Sequence, residues 1–430
     1  MGKKKTIVKL PETGDEVIVK TKSGVEKGIL LKSHEPGVVL LKLGSGYNIG
    51  IKNRDAEYIQ LVKKAKESED EEKIKMKGKP RVDLIITGGT ISASLDSKTG
   101  GVKWLTSPSK FLSFYPEIRE IADVRIINPF MKASESMNSL DWIKIAKIVA
   151  KSLNDPHVQG VIITHGTDFL HYTSAALSFM LGKVNKPVVL TYSQRSVDRG
   201  SSDARLNLVC AAHAALSDIA EVMLVGHASL NDDYCFALRG SKVRKMHTSR
   251  RDTFRPVNCK PLAKIWQDGK IEKIVECSKR NKNKVKVDAV FSDKVALLKF
   301  YPGQSPDILE YYSKKGYKGI IIEMSGLGHV CTEGKLDWNF ELKSLCERGI
   351  VVCGACQTIY GRLNPLVYSP GREILKSGVV YLKDMLPETG LIKLGWLLGH
   401  KEKGIEVVRE EMQKNLVGEI NERLGSEFLE

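Results

Sequence analysis

The 430-residue chain has no apolar run approaching the roughly 18 residues that a membrane span requires. Its start, Met1-Gly2-Lys3-Lys4-Lys5, is basic but runs into Thr6-Ile7-Val8-Lys9, so no signal-peptide core follows. A soluble, cytoplasmic protein with no membrane role is the expectation. Cysteine is sparse, eight residues in all, which excludes a disulfide scaffold. Cys210, Cys235 and Cys353 sit in apolar runs as small core residues. The CxxC of Cys353-Gly354-Ala355-Cys356 has no second pair at structural-zinc spacing and follows Gly349-Ile350-Val351-Val352, so it reads as the end of a strand and no metal is expected. The chain also lacks a GxxxxGK[ST] phosphate loop and a GxGxxG after a strand, which places ATP chemistry elsewhere. Negative charge is in deficit: 67 Lys and Arg face 51 Asp and Glu, a formal net charge of +16. Such a balance favours an anionic partner, nucleic acid ahead of a membrane surface.

What is present divides into a small β unit and a large α/β region. Over residues 1–64, Glu16 to Thr21, Val25 to Lys32, Val38 to Leu43 and Tyr47 to Ile51 read as short strands separated by Gly- and Ser-containing turns. That spacing predicts a small SH3-like barrel with too little core for a deep pocket, hence a docking or RNA-facing module. Residues 65–80 are a charged tract that reads as a linker. From Arg81, apolar strands alternate with helices, among them Ser139 to Leu153 with Trp142, Ile145, Ala146 and Val149 on one face. Such alternation predicts parallel sheets flanked by helices. A basic break near Lys279 to Lys286 separates an N-terminal α/β domain, 81–285, from a smaller one, 286–430, which ends on an apolar helix at Leu391 to Leu398.

Two strands end in the same chemistry. Val82 to Ile86 closes in Thr87-Gly88-Gly89-Thr90-Ile91, and Val161 to Ile163 closes in Thr164-His165-Gly166-Thr167-Asp168. In open α/β sheets, ligands bind at the carboxyl ends of the strands. The glycines allow backbone amides to approach a ligand and stabilise an oxyanion. A threonine hydroxyl attacks only when an oriented base takes its proton. Lysine in its neutral form suits that task, and the run Arg239 to Ser249 offers such a lysine beside two other cations that would favour the neutral form. Taken alone, each stretch has a plainer reading: Thr167 or Asp168 as a helix cap, the basic run as a solvated surface.

In order and spacing, TGGTI (87–91), THGTD (164–168) and RKMHTSRRDTF (244–254) resemble the three motifs of the L-asparaginase family. The β domain, the stretch Lys186 to Ser196 and Lys242 to Phe254 resemble one archaeal branch of it, the D-type (GatD) subunits of glutamyl-tRNA(Gln) amidotransferase. That likeness extends to Gly361 to Asn364 and Met385 to Glu388. The fold this implies is a two-domain, asparaginase-like α/β structure behind an SH3-like barrel. The activity it implies is a glutaminase that releases ammonia from glutamine. An E-type partner would use ATP and Mg to convert Glu-tRNA(Gln) to Gln-tRNA(Gln), in a heterotetramer built on a homodimer of this chain, with no cofactor in the chain itself. Thr90 then matches the first catalytic threonine, and Thr167, Asp168 and Lys245 the Thr-Asp-Lys group. Ser134 and Glu135 match the pair that clamps the amino acid head group, and Gly89 and Gly166 stand as candidate oxyanion donors.

Departures from the pattern weigh on activity. Phe169 stands where a threonine commonly follows THGTD, and no tyrosine lies between Thr90 and Tyr115, where free asparaginases usually supply one. Two other readings compete. A free L-asparaginase or glutaminase would gain nothing from the barrel or the +16 charge. A non-catalytic RNA-binding scaffold would have no need of Thr90, Thr167, Asp168 and Lys245 together. The smaller C-terminal unit is expected to lack a pocket of its own.

Overall fold

The computed structural model describes residues 11–33, 35–44, 47–64, 78–95, 102–104, 108–197 and 199–426. Most of the charged tract expected as a linker lies outside them. The N-terminal unit is a five-stranded antiparallel sheet: β1 (Glu16–Thr21), β2 (Gly24–Leu31), β3 (Val38–Leu43), β4 (Asn48–Lys52) and β5 (Ala56–Lys63), in the order β4-β3-β2-β1-β5. Alternate residues Val17, Val19, Val39 and Leu41 point inward as its core, the two-residue period of a half-buried strand. A single 3-10 turn, Asn53–Asp55, carries the chain into β5, and register shifts along β1 and β5 mark where the sheet bends. The expected small barrel is therefore present.

The large sheet has eight strands in the spatial order Ile271–Lys273, Ala263–Trp266, Tyr234–Arg239, Val222–His227, Val188–Thr191, Val158–Thr164, β6 (Arg81–Ile86), Asp123–Ile127. The last five in that order are parallel. The first three run antiparallel, an extension that the strand-helix alternation of the sequence did not foretell. Helix Ala204–Leu216 covers one face through Leu208, Ala211 and Ala215. Helices Ser139–Leu153 and Leu170–Leu181 cover the other through Ile145, Val149, Leu177 and Leu181. From β6 the chain goes first to Asp123–Ile127 on one side and then crosses to Val158–Thr164 on the other. That reversal is a topological switch point, and the carboxyl ends of the two strands flanking it form the crevice where ligands bind in such sheets.

The C-terminal unit is a four-stranded parallel sheet, Val295–Lys299, Gly319–Met324, Val351–Cys356 and Val380–Tyr381. Cys353 and Cys356 lie within its third strand, one in each of the two core clusters on opposite sides of the sheet. A spacing of three in a strand sends two side chains to opposite faces, so these thiols do not share a site. The apolar C-terminal helix spans Pro387–Gly399, opening earlier than its apolar run because Pro387 and Glu388 suit a first helical turn. It bridges the two units: Ile392 packs with Ala175, Ala176 and Phe179, and the Phe179 and Trp396 rings stack at 5.8 Å. The expectation that this unit has no pocket is wrong. An open cleft of about 790 Å³ lies along its Val380–Tyr381 edge, lined by Arg362, Leu363, Tyr381, Lys383 and Arg409 among others.

The units are also pinned by buried charge. Lys242, just before the strand Val243–Lys245, donates to the Asp384 carbonyl at 3.0 Å and pairs with the Asp384 carboxylate, both side chains being shielded from water. Asp384 in turn accepts from the Asn421 amide at 3.0 Å. Removing one member of such a pair strands a buried charge, at a cost of about 3–5 kcal/mol. Asp384→Ala should therefore lower the unfolding free energy by that amount in a denaturant titration, whereas exchanging both partners for apolar residues should restore most of it. A Lys242→Met/Asp384→Leu double variant no more stable than Asp384→Ala would refute this account.

Candidate active site

The two glycine-threonine strand ends lie side by side. Beyond β6, the Thr87 amide and hydroxyl both donate to the Thr164 carbonyl, at 3.2 and 2.7 Å, and the Ser92 and Thr164 hydroxyls meet at 3.2 Å. Gly88 and Gly89 have φ of +132° and +86°. A Cβ on Gly89 would fall 2.4 Å from the His165 carbonyl oxygen and 2.5 Å from the Gly166 nitrogen, so only glycine lets the first turn lie against the second. Thr90 opens a short 3-10 turn, Thr90–Ser92, immediately after this contact. Gly166 is crowded from the other side by Ser134, whose Cβ and Oγ lie 3.0 Å from where a Gly166 Cβ would sit. Ser134 is buried, and the adjacent Glu135 is exposed. The structure thus brings Gly89, Thr90, Gly166 and Ser134 into one crevice.

Thr167 and Asp168 are not helix caps. The helix begins at Leu170, its N-cap is Phe169, and no side chain caps it. Both side chains instead turn to Lys245, whose Nζ donates to Thr167 Oγ1 at 2.8 Å and to Asp168 Oδ1 at 2.7 Å. Lys245 is fixed by its place in the strand Val243–Lys245, paired antiparallel with Phe254–Pro256. Its side chain is only 10% exposed, whereas that of Asp168 is 63% exposed. Of the cations near it in sequence, Arg244 pairs with Glu388 at 2.9 Å and Lys242 with Asp384, so each has its own carboxylate. Beside the triad, Asp168, Phe169, Arg244, Lys245, His247 and Glu388 line a cleft of about 420 Å³, with Phe169 forming part of its exposed wall.

A network behind this turn went unforeseen. The Trp142 indole N–H donates to Thr173 Oγ1 at 3.0 Å, and that hydroxyl lies 2.8 Å from His165 Nε2. His165 Nδ1 lies 2.7 Å from the Gly166 carbonyl oxygen. Every donor finds an acceptor only if His165 is neutral with its proton on Nδ1. Burial holds it there, pushing its pKa down to about 4 against the bonus of the Gly166 hydrogen bond. Because the unfolded chain takes up this proton near pH 6.5 and the folded chain only near pH 4, stability should fall as pH drops through that window. His165→Gln should reduce the slope of that part of a Tm-against-pH profile, the remainder coming from the similarly buried His171, and an unchanged slope would rule His165 out as a contributor. The signal for the network was the imidazole inside THGTD and a threonine eight residues on, in the following helix. Tyr115, the first tyrosine after Thr90, does not replace the missing one. It is buried, and its hydroxyl donates to the Ile91 carbonyl at 2.9 Å.

Known proteins match the chain over each of its units. Residues 81–277 match the asparaginase N-terminal family, residues 294–412 the glutaminase/asparaginase C-terminal domain, and residues 11–62 the GatD N-terminal domain. Among solved structures, the thermostable L-asparaginase from Thermococcus kodakarensis superposes with a TM-score of 0.71 at 28% identity, covering 80% of this chain and 100% of that one. L-asparaginase I from Vibrio cholerae gives 0.70 at 28%, covering 80% and 99%. The fold and the paired strand ends are those of an asparaginase-type α/β protein carrying an extra N-terminal barrel. The D-type glutamyl-tRNA(Gln) amidotransferase protein of T. kodakarensis is 47% identical over 95% of this chain and 94% of its own length, and that of Archaeoglobus fulgidus 44% identical over 95% of each. The chain belongs to this GatD family of glutamyl-tRNA(Gln) amidotransferase subunits.

Proposed function

We propose that this chain is the glutamine-hydrolysing component of a tRNA-dependent amidotransferase, supplying ammonia for the conversion of Glu-tRNA(Gln) to Gln-tRNA(Gln). The observation that carries the reading is the convergence of Thr167 and Asp168 on Lys245 beside the Gly89–Gly166 contact that holds Thr90. In the mechanism this supports, Thr90 Oγ attacks the side-chain amide carbon of glutamine. Thr167 passes the proton to the Lys245 amine, and Asp168 holds both this lysine and the substrate ammonium. The backbone amides at Gly89 and Gly166 face the developing oxyanion, each such donor being worth about 10²- to 10³-fold in rate. The C–N bond breaks as the proton returns to the leaving nitrogen, releasing ammonia and leaving a glutamyl ester on Thr90. Water, deprotonated through the same relay, then cleaves the ester to glutamate and frees the hydroxyl. Ser134 and Glu135 take the substrate carboxylate and ammonium.

ATP and Mg would act in an E-type partner, since this chain contains neither phosphate-binding motif. In this reading two copies of the chain form the homodimeric core of a heterotetramer that works in the cytoplasm. Among the described residues no helix is long and apolar enough to cross a membrane. The deciding experiment measures glutamine hydrolysis by the chain alone, with the partner, and with partner plus Glu-tRNA(Gln). Stimulation by the full set supports the reading. Full activity of the isolated chain on asparagine or glutamine would select a free amidohydrolase, and no hydrolysis in any mixture would leave a non-catalytic scaffold. The +16 charge adds an expectation: tRNA affinity of the assembled complex should fall steeply with salt, log K against log[salt] having a slope of about −0.9 for each phosphate neutralised on a duplex arm. A flat salt profile would exclude a phosphate-contacting surface.

A further inference from the structure

The barrel does more than stand beside the catalytic domain. Its β3–β4 hairpin reaches both halves of the site by separate routes. On β3, Leu41 points into the barrel core and the next side chain, Lys42, points out. Lys42 Nζ donates to the Phe114 carbonyl at 2.5 Å and lies 5.8 Å from the centroid of the Tyr115 ring. Tyr115, its ring 4.9 Å from that of Phe111, places its hydroxyl on the Ile91 carbonyl, one residue beyond Thr90. From the same hairpin, Tyr47 donates to the Asp232 carboxylate. Asp232 also receives Arg251 Nη1 at 2.9 Å and lies 2.9 Å from His227 Nε2. Arg251 leads into Thr253, whose carbonyl accepts from the Met246 amide at 2.8 Å, and into Phe254, which pairs with Lys245. Between the two routes, Asn48 donates to the Val197 carbonyl at 3.2 Å, and a Cβ on Gly200 would fall 2.4 Å from the Asn48 carbonyl oxygen.

We propose that the β3–β4 hairpin is a clamp that positions Thr90 through Lys42 and Tyr115, and Lys245 through Tyr47, Asp232 and Arg251. Neither Lys42 nor Tyr47 touches the reacting atoms, so both are positioning residues. The nucleophile and its base come from strands far apart in sequence, joined within the catalytic domain by the Gly89–Gly166 contact and the Lys245–Thr167 hydrogen bond. One hairpin anchored behind both adds a second constraint on their relative placement. A movement of the barrel, for example when a partner engages it, would then change turnover without a new group entering the site.

This inference rests on the glutamine-hydrolysis reading, and its test separates the two. Lys42→Met, Lys42→Arg and Tyr47→Phe are prepared in the full-length chain and assembled with the partner protein. Amide exchange at residues 90–92 and 245–247 is measured together with kcat and KM for glutamine. Lys42→Met should accelerate exchange at 90–92, and Tyr47→Phe at 245–247. Each should lower kcat about tenfold with KM within about twofold, less than the roughly hundredfold that a 1 Å misplacement can cost. Lys42→Arg, which keeps a donor for the Phe114 carbonyl, should restore both exchange and kcat. A merely structural role would shift Tm and leave the kcat of the folded fraction intact, and that result overturns the proposal. So does a loss of kcat with unchanged exchange. Failure of the glutaminase reading would appear differently, as a wild-type complex that hydrolyses no glutamine, while the exchange measurement still decides whether the clamp exists.

Discussion

Thr167→Ala should lower kcat for glutamine by about 10³-fold, inside the 10²- to 10⁴-fold range of positioned proton transfer. In the proposed mechanism the hydroxyl, 2.8 Å from Lys245 Nζ, links that amine to the attacking oxygen of Thr90. Without it the amine still faces Asp168 but has no oriented path to the nucleophile. Lys245→Met should cost a similar factor, since a hydroxyl without a base cannot retain the proton. The double variant should be little worse than either single one, because two members of one relay fail together and do not multiply. Folding should be nearly unaffected by Thr167→Ala, within about 1 kcal/mol, because the Thr167 side chain caps nothing. Steady-state kinetics of the three variants in the assembled complex test this. Single-variant losses below tenfold, or losses that multiply in the double variant, would place the base elsewhere.

Much of this site is visible in the sequence, for a physical reason. Close approach of two backbone turns demands glycine, attack demands a hydroxyl, and the base demands an ionisable side chain, so TGGT, THGTD and Lys245 carry their chemistry in residue type. Their meeting place follows from strand ends and a switch point. The central parallel strands were legible because burial on both faces makes them continuous apolar runs, whereas the part-buried edge strand Asp123–Ile127 was not. The antiparallel extension, Tyr234–Arg239, Ala263–Trp266 and Ile271–Lys273, was not, because its strands are only partly buried and the last two have four and three residues, too few to show a period. The helices Asn339–Glu347, Ser369–Lys376 and Ile405–Met412 are about two turns each, too short for a sustained period.

What misled was reading charge along the chain. Arg244 is adjacent to Lys245 in sequence, yet strand alternation sends its guanidinium to Glu388, on a helix of the other unit. The partner of a charge is a tertiary fact, and so is the neutral state of His165, which depends on Trp142 and Thr173 packed behind it. The barrel was legible as a fold, but its attachment to the catalytic domain was not. Its hairpin contacts involve Phe114, Val197 and Asp232, none of which sequence reasoning connects with residues 42–48.

Gly89→Ala should damage the site far more than one added carbon suggests. With φ +86° and ψ 166°, Gly89 occupies a region that is essentially reserved for glycine, and an alanine there costs about 1–3 kcal/mol of strain even in open space. Space is not open: the new methyl would lie 2.4 Å from the His165 carbonyl oxygen and 2.5 Å from the Gly166 nitrogen. Both are backbone atoms of the turn that His165, Thr173 and Trp142 hold in place, so neither can swing aside as a side chain would. The two strand ends must part, carrying Thr90 away from Thr167 and the Gly89 amide away from the oxyanion. A separation of 1 Å alone costs about 10²-fold, and a lost oxyanion donor about 10²- to 10³-fold. The two effects share a cause and overlap, so kcat should fall by about 10³-fold or more while Tm drops measurably. Gly182→Ala is the control, since its φ of +57° is also positive but nothing lies within 4 Å of its missing Cβ. It should lose stability and keep its activity. If Gly89→Ala behaves like Gly182→Ala, backbone strain is its whole effect, and the packing of one glycine turn on the other is not what aligns the nucleophile with its base.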